Sequence, residues 1–502
     1  MTLTLHSGDL TSLKVDLLAL LCFQDQAGAG AGFADIDKAL DGLLGRLATE
    51  EQFKGKPGQT LLVHTHGRIG PQRVLLVGGG ARGDFQPPDL RGFAARAVKA
   101  GGAAGGKSVA VALLAADGPA NERAAQFVAE GALGGRYRFD KYLTGDRKAK
   151  DGVEQVILAL TDGADPQTAD AIRRGLARGE VVAAAVARTR DLINEPAGFM
   201  TPTRMAEVAQ QVAKEHGLEV KVLGRKECQQ LGMGMFLAVA QGSDQEPRFI
   251  HLTWRPKGGK APRKRVALVG KGVTFDSGGL SLKPTDGMLH MKADMSGAAA
   301  VISAIAALAD LGVPVEVHAI AACTENMPSG KAYKLGDVLT SMGGKTVEIT
   351  NTDAEGRLTL GDALTYAVRE TKPDELIDFA TLTGACVVAL GPTTAGVMSN
   401  HRALAERWLT AAREAGEDMW PLPLTERLKD QLKSEVADMR NTGERWGGAL
   451  TAGLFLKEFV GDTPWVHVDI AGPANADKEW GHLPKGGTGF AVATILEYLA
   501  RG

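Results

Sequence analysis

Residues 269–358 concentrate the groups in this 502-residue chain that could do chemistry together. Lys271 stands between Gly270 and Gly272, Asp276 opens the run Asp276-Ser277-Gly278-Gly279, and Lys283 precedes Pro284. Asp294 comes just before an alanine-rich stretch, and Asp353, Glu355 and Arg357 occupy alternate positions. Four carboxylates, Asp276, Asp294, Asp353 and Glu355, brought to one place would repel strongly, and two divalent cations would balance them. Hard oxygen ligands suit Mg²⁺ or Mn²⁺, and Zn²⁺ also accepts carboxylate oxygen. Two such ions roughly 3.5–4 Å apart share bridging carboxylates, hold a water or hydroxide and polarise a carbonyl. Lys283 and Arg357 are cations able to sit at the rim and stabilise developing negative charge. The same residues also read separately, Asp294 as a helix N-cap, Asp276 as part of a turn and the others as surface ion pairs. Spacing alone leaves both readings open, because it does not show convergence.

The elements that must position these groups follow from periodicity. An apolar strand is predicted over 265–269, which puts Lys271 two residues past its end. Ligand sites in open α/β sheets gather at the carboxyl ends of strands, and flanking glycines permit close backbone approach. A helix is predicted over 296–311, directly after Asp294. In an extended segment Asp353 and Glu355 would point to the same side, ahead of a helix over 361–369. Further strands are predicted over 249–253, 315–321, 346–349, 376–379 and 465–470, with a last helix over 490–500. The first third alternates strands (15–23, 60–64, 73–77, 109–114, 156–161) with helices (90–100, 121–133) and a charged surface loop over 140–152. A long helix follows over about 165–193 and stops at Asn194-Glu195-Pro196, since proline cannot continue it. The fold class is therefore α/β in two domains. A smaller N-terminal domain spans 1–165, a connecting helix 166–193, and a larger catalytic domain 194–502, with a mixed central sheet flanked by helices.

Composition excludes several classes. Lys plus Arg is 57 against 59 for Asp plus Glu, so a net charge of −2 offers no global attraction for nucleic acid or an anionic membrane. Aromatics at 5% make a base-stacking platform a poor fit. No uninterrupted apolar run reaches the ~18 residues of a membrane helix, and the first residues lack the pattern of a secretory leader. The four cysteines, Cys22, Cys228, Cys323 and Cys386, form no CxxC pair and suit a reducing cytoplasm, the expected location. Residues 78–83 satisfy G-x-G-x-x-G, yet no acid follows about 20 residues later, and Pro87 and Pro88 delay the helix. Residues 101–108, GGAAGGKS, spell a P-loop with its elements reversed, helix first and strand second. Neither is assigned to phosphate. HExxH and G-x-S-x-G are absent, and no two of the ten histidines share a helical metal-ligand spacing.

The unbroken octapeptide Asn351-Thr352-Asp353-Ala354-Glu355-Gly356-Arg357-Leu358 resembles the signature of the leucyl aminopeptidase family, the dinuclear-metal cytosol aminopeptidases. Residues 270–284 and 291–297 resemble its two upstream metal-site motifs, in the same order. Arg190 to Asn194 with Pro196, Glu325 to Gly330, and Thr381 to Gly384 agree with it too. The resemblance covers about 180 to 502; the first third matches by length and α/β pattern. Ala293 and Ala491 depart from the family pattern at positions to which it gives no metal or catalytic role.

The resemblance implies a metal-dependent aminopeptidase that removes N-terminal residues, leucine among them. Lys271, Asp276, Asp294 and Glu355 would hold a tightly bound ion. Asp276, Asp353 and Glu355 would hold an exchangeable one, with the Asp353 carbonyl assisting. The ions would be Mn²⁺ or Zn²⁺, with Mg²⁺ a further candidate. A bridging hydroxide would attack the scissile carbonyl, and Lys283 would stabilise the oxyanion. Arg357 would hold a bicarbonate that shuttles the proton. Met291, Asn351, Thr381 and Leu382 are the implied substrate contacts. Peptides with a free N-terminus would be the substrates, and the family's homohexamer is the expected assembly, away from any membrane. The alternative function is a DNA-binding or regulatory protein that retains the catalytic domain, which the net charge does not support.

Overall fold

Runs of Val, Leu, Ile and Ala build the strands of the first unit, and their two-residue alternation decides which layer each side chain enters. The computed structural model describes residues 1–25, 32–113, 119–148, 152–161, 164–256, 262, 264–479 and 481–501. Residue 114 of one expected strand and residues 149–151 of the expected charged loop lie outside these. Two units are distinct: Met1–Ala184 with Glu479–Pro484, and Ala185–Lys478 with Lys485–Gly502.

In the first unit β1 (Thr2–Ser7), β2 (Leu17–Cys22), β3 (Thr60–His64), β4 (Arg73–Gly78), β5 (Ser108–Leu113) and β6 (Gln155–Leu160) form one sheet in the order β1-β6-β5-β2-β4-β3. Only β3 runs antiparallel to its neighbour. β2 is buried at every position, as a parallel strand covered on both faces must be. Leu17 and Ala19 enter a core with Phe93 and Phe127, whereas Leu18 and Leu20 enter another with Phe33, Ile36 and Leu40. The five strands expected here are present. β1 was not anticipated; it is an edge strand with a half-exposed Thr/Leu alternation. Residues 101–108 run from the end of the helix Leu90–Ala103 into β5, the order that argues against a P-loop.

The second unit is built on β7 (Glu219–Leu223), β8 (Arg248–Trp254), β9 (Arg265–Asp276), β10 (Glu316–Asn326), β11 (Val338–Thr340), β12 (Thr346–Glu348), β13 (Glu375–Ala380), β14 (Ala395–Ser399), β15 (Met419–Pro421), β16 (Met439–Arg440) and β17 (Trp465–Asp469). Eight of them make a mixed sheet in the order β15-β14-β17-β13-β9-β10-β8-β7, and β11-β12-β16 form a small second sheet. The central strands β17, β13, β9 and β10 are parallel, so their carboxyl ends share one edge. Asp276 and Asn326 are register partners at that edge, and Ala380 pairs with Asp469.

The helix Ser296–Leu311 packs against the centre of this sheet. Contact is backbone on backbone: a Cβ on Gly297 would lie 2.0 Å from the Phe379 carbonyl oxygen, and one on Gly270 would lie 2.4 Å from the Gly297 carbonyl carbon. Only glycine fits there. Thr285–Leu311 is long and apolar enough to cross a membrane by length and composition, but 83% of its apolar window is buried inside the protein. The helix Gly356–Tyr366 is buried along its whole length.

Candidate active site

β9 continues through Lys271 to Asp276, so Lys271 lies inside the strand rather than past its end. Its flanking glycines make room for neighbouring backbone, as expected. The Lys271 side chain is buried, and its Nζ lies 2.9 Å from Asp294 Oδ1 and 2.9 Å from Glu355 Oε1. It also donates to the Thr381 carbonyl at 3.1 Å.

Asp276 closes β9. Its Oδ1 accepts from Gly278 N and from Asn326 Nδ2, both at 2.8 Å. Its Oδ2 lies 2.9 Å from Lys283 Nζ, which also pairs with Asp353. Gly278 and Gly279 take left-handed backbone angles, φ 85° and 62°, that turn the chain so that Lys283 N reaches the Ser277 carbonyl at 2.9 Å.

Asp294 is not an N-cap. It follows a short 3-10 turn, Met291–Ala293, and points back to Lys271, while the Thr381 hydroxyl donates to its Oδ1 at 2.7 Å. Asp353 and Glu355 are not extended either. Asn351 Oδ1 accepts from Asp353 N at 2.8 Å, a tight turn that leads into the helix at Gly356. That helix therefore starts earlier than the expected 361. The turn still brings ligand atoms of Asp276, Asp353 and Glu355 within 4.8 Å of one another. Asp294 joins them through Lys271. Arg357, in the first helical turn, is buried and donates from Nη1 to the Asn441 carbonyl at 2.8 Å.

Burial, then the neighbouring Asp276 charge, raises the Glu355 carboxyl above its ordinary range, and burial does the same for Asp294. Asp353 moves up for the same two reasons, against the pull of Lys283. Burial opposes the charge on Lys271 and Lys283, yet the carboxylates around them outweigh it and raise both. Burial lowers the Arg357 guanidinium to about 10.

The donor set fits divalent cations. Asp294 Oδ2 and Glu355 Oε2 are buried and take no hydrogen bond, which is costly for a carboxylate oxygen unless a cation meets it. Arg357 Nε is likewise buried with its hydrogen unmatched, and it suits a small oxyanion.

The other expected contacts border this cluster. Asn351 has its side chain committed to the turn, and Leu382 follows Thr381 on the loop after β13. Met291 begins the turn that delivers Asp294. Several buried residues outside the expected ligand set hold the cluster in place, and of these only Asn326 lies in a segment, Glu325 to Gly330, that the sequence marked. Asn326 bonds Asp276 and, at 3.0 Å, the Thr352 carbonyl, which Tyr333 OH also reaches at 2.8 Å. Asn441 accepts from Thr350 N at 2.9 Å and donates to the Asn351 carbonyl at 2.6 Å. Asp469 accepts from Leu382 N at 3.1 Å.

Comparison with known proteins gives matches to both parts of the chain. The profile "Cytosol aminopeptidase family, catalytic domain" matches residues 187–496, and "Cytosol aminopeptidase family, N-terminal domain" matches residues 19–146. A probable cytosol aminopeptidase of Persephonella marina is 43% identical, covering 99% of both chains. One of Alkaliphilus metalliredigens is 42% identical over 97% of both. Among solved structures, a mutant of tomato leucine aminopeptidase superposes with a TM-score of 0.89 at 35% identity, covering 100% of this chain and 97% of that one. The bottromycin maturation enzyme BotP in complex with Mn gives 0.84 at 38% identity, covering 97% and 99%.

Proposed function

The chain belongs to the cytosol aminopeptidase family and is a metal-dependent aminopeptidase, and we propose how its residues divide the work. The observation that carries the proposal is the meeting of Asp276, Asp353 and Glu355 oxygens within 4.8 Å, with Lys271 and Lys283 against them.

Lys271, Asp276, Asp294 and Glu355 would hold one divalent ion, and Asp276, Asp353 and Glu355 would hold a second. The ions, Mn²⁺ or Zn²⁺, supply Lewis acidity and a nucleophilic water at neutral pH. As a ligand Lys271 must be the neutral amine; a divalent charge among its carboxylate partners removes their reason to keep it protonated. Lys283 reaches between Asp276 and Asp353, and from there it stabilises the negative charge that grows on the scissile carbonyl oxygen. Arg357, with its Nε unmatched, would hold a bicarbonate, which would supply a base able to relay protons. Met291, Asn351, Thr381 and Leu382 bound the space for the first residue, leucine and similar side chains. The acidic centre accepts a free α-amine, which an internal peptide bond lacks, and this limits cleavage to the N-terminal residue. The protein acts on peptides in the cytoplasm as a homohexamer.

The test is hydrolysis of leucine p-nitroanilide after chelation and after adding back Mn²⁺ or Zn²⁺, with N-acetyl-leucine p-nitroanilide alongside. Activity should require both metal and the free amine. Equal turnover of the acetylated compound would remove the amine from the recognition scheme.

A further inference from the structure

A buried carboxylate that touches none of the candidate ligands closes the turn on which two of them lean. Asp469 ends β17 and is fully buried beside Ala380. Its Oδ1 accepts from Leu382 N and Ala471 N, both at 3.1 Å, and its Oδ2 accepts from the Thr383 hydroxyl at 2.7 Å. Thr383 then caps the helix Gly384–Leu390, its Oγ1 accepting from Cys386 N at 3.0 Å. On the other side of this turn, the Thr381 carbonyl accepts from Lys271 Nζ at 3.1 Å and the Thr381 hydroxyl donates to Asp294 Oδ1 at 2.7 Å.

A trans peptide group is planar, and its C=O and N–H point in opposite directions. No cis bond occurs among the described residues. The Thr381–Leu382 peptide therefore reaches Asp469 with its N–H and Lys271 with its C=O. Rotating that plane moves both contacts at once. Three donors converge on Asp469, and a carboxylate accepts from all of them. Asparagine has one acceptor oxygen and must turn an NH₂ group toward one of the donors. Burial raises the Asp469 carboxyl above its ordinary range, and the three hydrogen bonds counter only part of that shift.

We propose that Asp469 is a positioning residue: by fixing the Thr381–Leu382 peptide plane it sets Lys271 and Asp294 in place for a divalent cation. This rests on the reading of Lys271 and Asp294 as metal ligands. Asp378 provides the control. It is just as buried, bonds Trp465 Nε1 at 2.7 Å and His467 Nδ1 at 2.6 Å, and forms none of these contacts with the turn.

The experiment compares D469A, D469N, T383V and D378N in the full chain. It reads Mn²⁺ affinity by chelator competition, kcat and KM on leucine p-nitroanilide, and Tm. D469A should weaken Mn²⁺ binding and lower kcat by about 10–100-fold, with a smaller change in KM. D469N should restore part of both losses. D378N should lower Tm while leaving Mn²⁺ affinity and kcat within about twofold of the parent. Parent-like Mn²⁺ affinity and kcat in D469A would overturn the proposal, as would equal losses in D378N at equal Tm. If D469A does not fold, unchanged Mn²⁺ affinity in both D469N and T383V overturns it. A parent protein that binds Mn²⁺ but cleaves nothing would sink the aminopeptidase assignment, and the affinity series would still judge Asp469. A parent that takes up no Mn²⁺ overturns both.

Discussion

Asn326 and Asp276 end neighbouring parallel strands in register, and the Asn326 amide donates to Asp276 Oδ1 at 2.8 Å. The same amide holds the Thr352 carbonyl, so one side chain ties the Asp276 end of the site to the turn that carries Asp353 and Glu355. Partners of metal ligands of this kind commonly govern affinity as strongly as 10–100-fold. N326L should lose about that much in Mn²⁺ affinity or kcat. N326D places a carboxylate against Asp276 and should be worse. A metal titration of N326L that overlays the parent would refute the role.

Lys283 meets two carboxylates of the cluster and is the cation best placed to meet an oxyanion. K283M keeps the aliphatic stem and removes the charge. Loss of one such donor costs about 10²–10³-fold in kcat, and KM should move much less. A rise in KM with unchanged kcat would make Lys283 a ground-state binding group instead.

Gly356 opens a buried helix, where alanine is ordinarily better than glycine by about 1 kcal/mol. Here a Cβ would sit 2.5 Å from Lys271 Cε and 2.6 Å from its Nζ. G356A should therefore keep its helical circular dichroism and lose most activity, because Lys271 must move away from Glu355. An active G356A would show that the Lys271 position is not needed.

His251 and His318 form a pair away from the acidic cluster. His251 Nε2 lies 3.0 Å from His318 Nδ1, and His251 Nδ1 lies 3.2 Å from Tyr366 OH. Burial, then the neighbouring positive or imidazole groups, lowers both to about 4 from an ordinary 6.5. Above pH 6.5 the ring is neutral in folded and unfolded chains, and the pair adds no pH dependence. Between 6.5 and 4 the unfolded chain takes up protons that the folded one refuses, so stability falls as pH falls. The loss is on the order of 3 kcal/mol for each ring, less where solvent reaches His251. H318Q should flatten the denaturation midpoint against pH across this window, and an unchanged slope would reject the pair as its source.

The candidate ligands are legible in the sequence through the resemblance of 270–284, 291–297 and 351–358 to a known family, since the spacing of carboxylates and lysines by itself leaves separate caps, turns and ion pairs open. Their delivery was less so. The apolar run ends at Val269 and sets Lys271 past the strand, whereas β9 runs on to Asp276; the close backbone approach expected at Gly270 and Gly272 is present, against Gly297 and the Ala322 backbone. Asp353 and Glu355 converge through an Asx turn and a helix start, which an alternate spacing does not distinguish from an extended strand. Asn441 and Asp469 have no local signature, and Asn326, inside the Glu325 to Gly330 segment that resembles the family, has none that gives its role. Their function lies in hydrogen bonds to segments 26 to 90 residues away, and only the strand register supplies those partners.

The strand order has a consequence in time. Lys271 leaves the ribosome 469 − 271 = 198 residues before Asp469 does. At about 5–20 residues per second that interval lasts about 10–40 s. Once Glu355 has followed, the nascent chain carries all these carboxylates and lysines but still lacks, for its next 469 − 355 = 114 residues, the strand that closes the turn beneath them. On the role proposed for Asp469, a chain truncated before β17 is expected to hold metal poorly and to cleave nothing, whatever ligands it already carries.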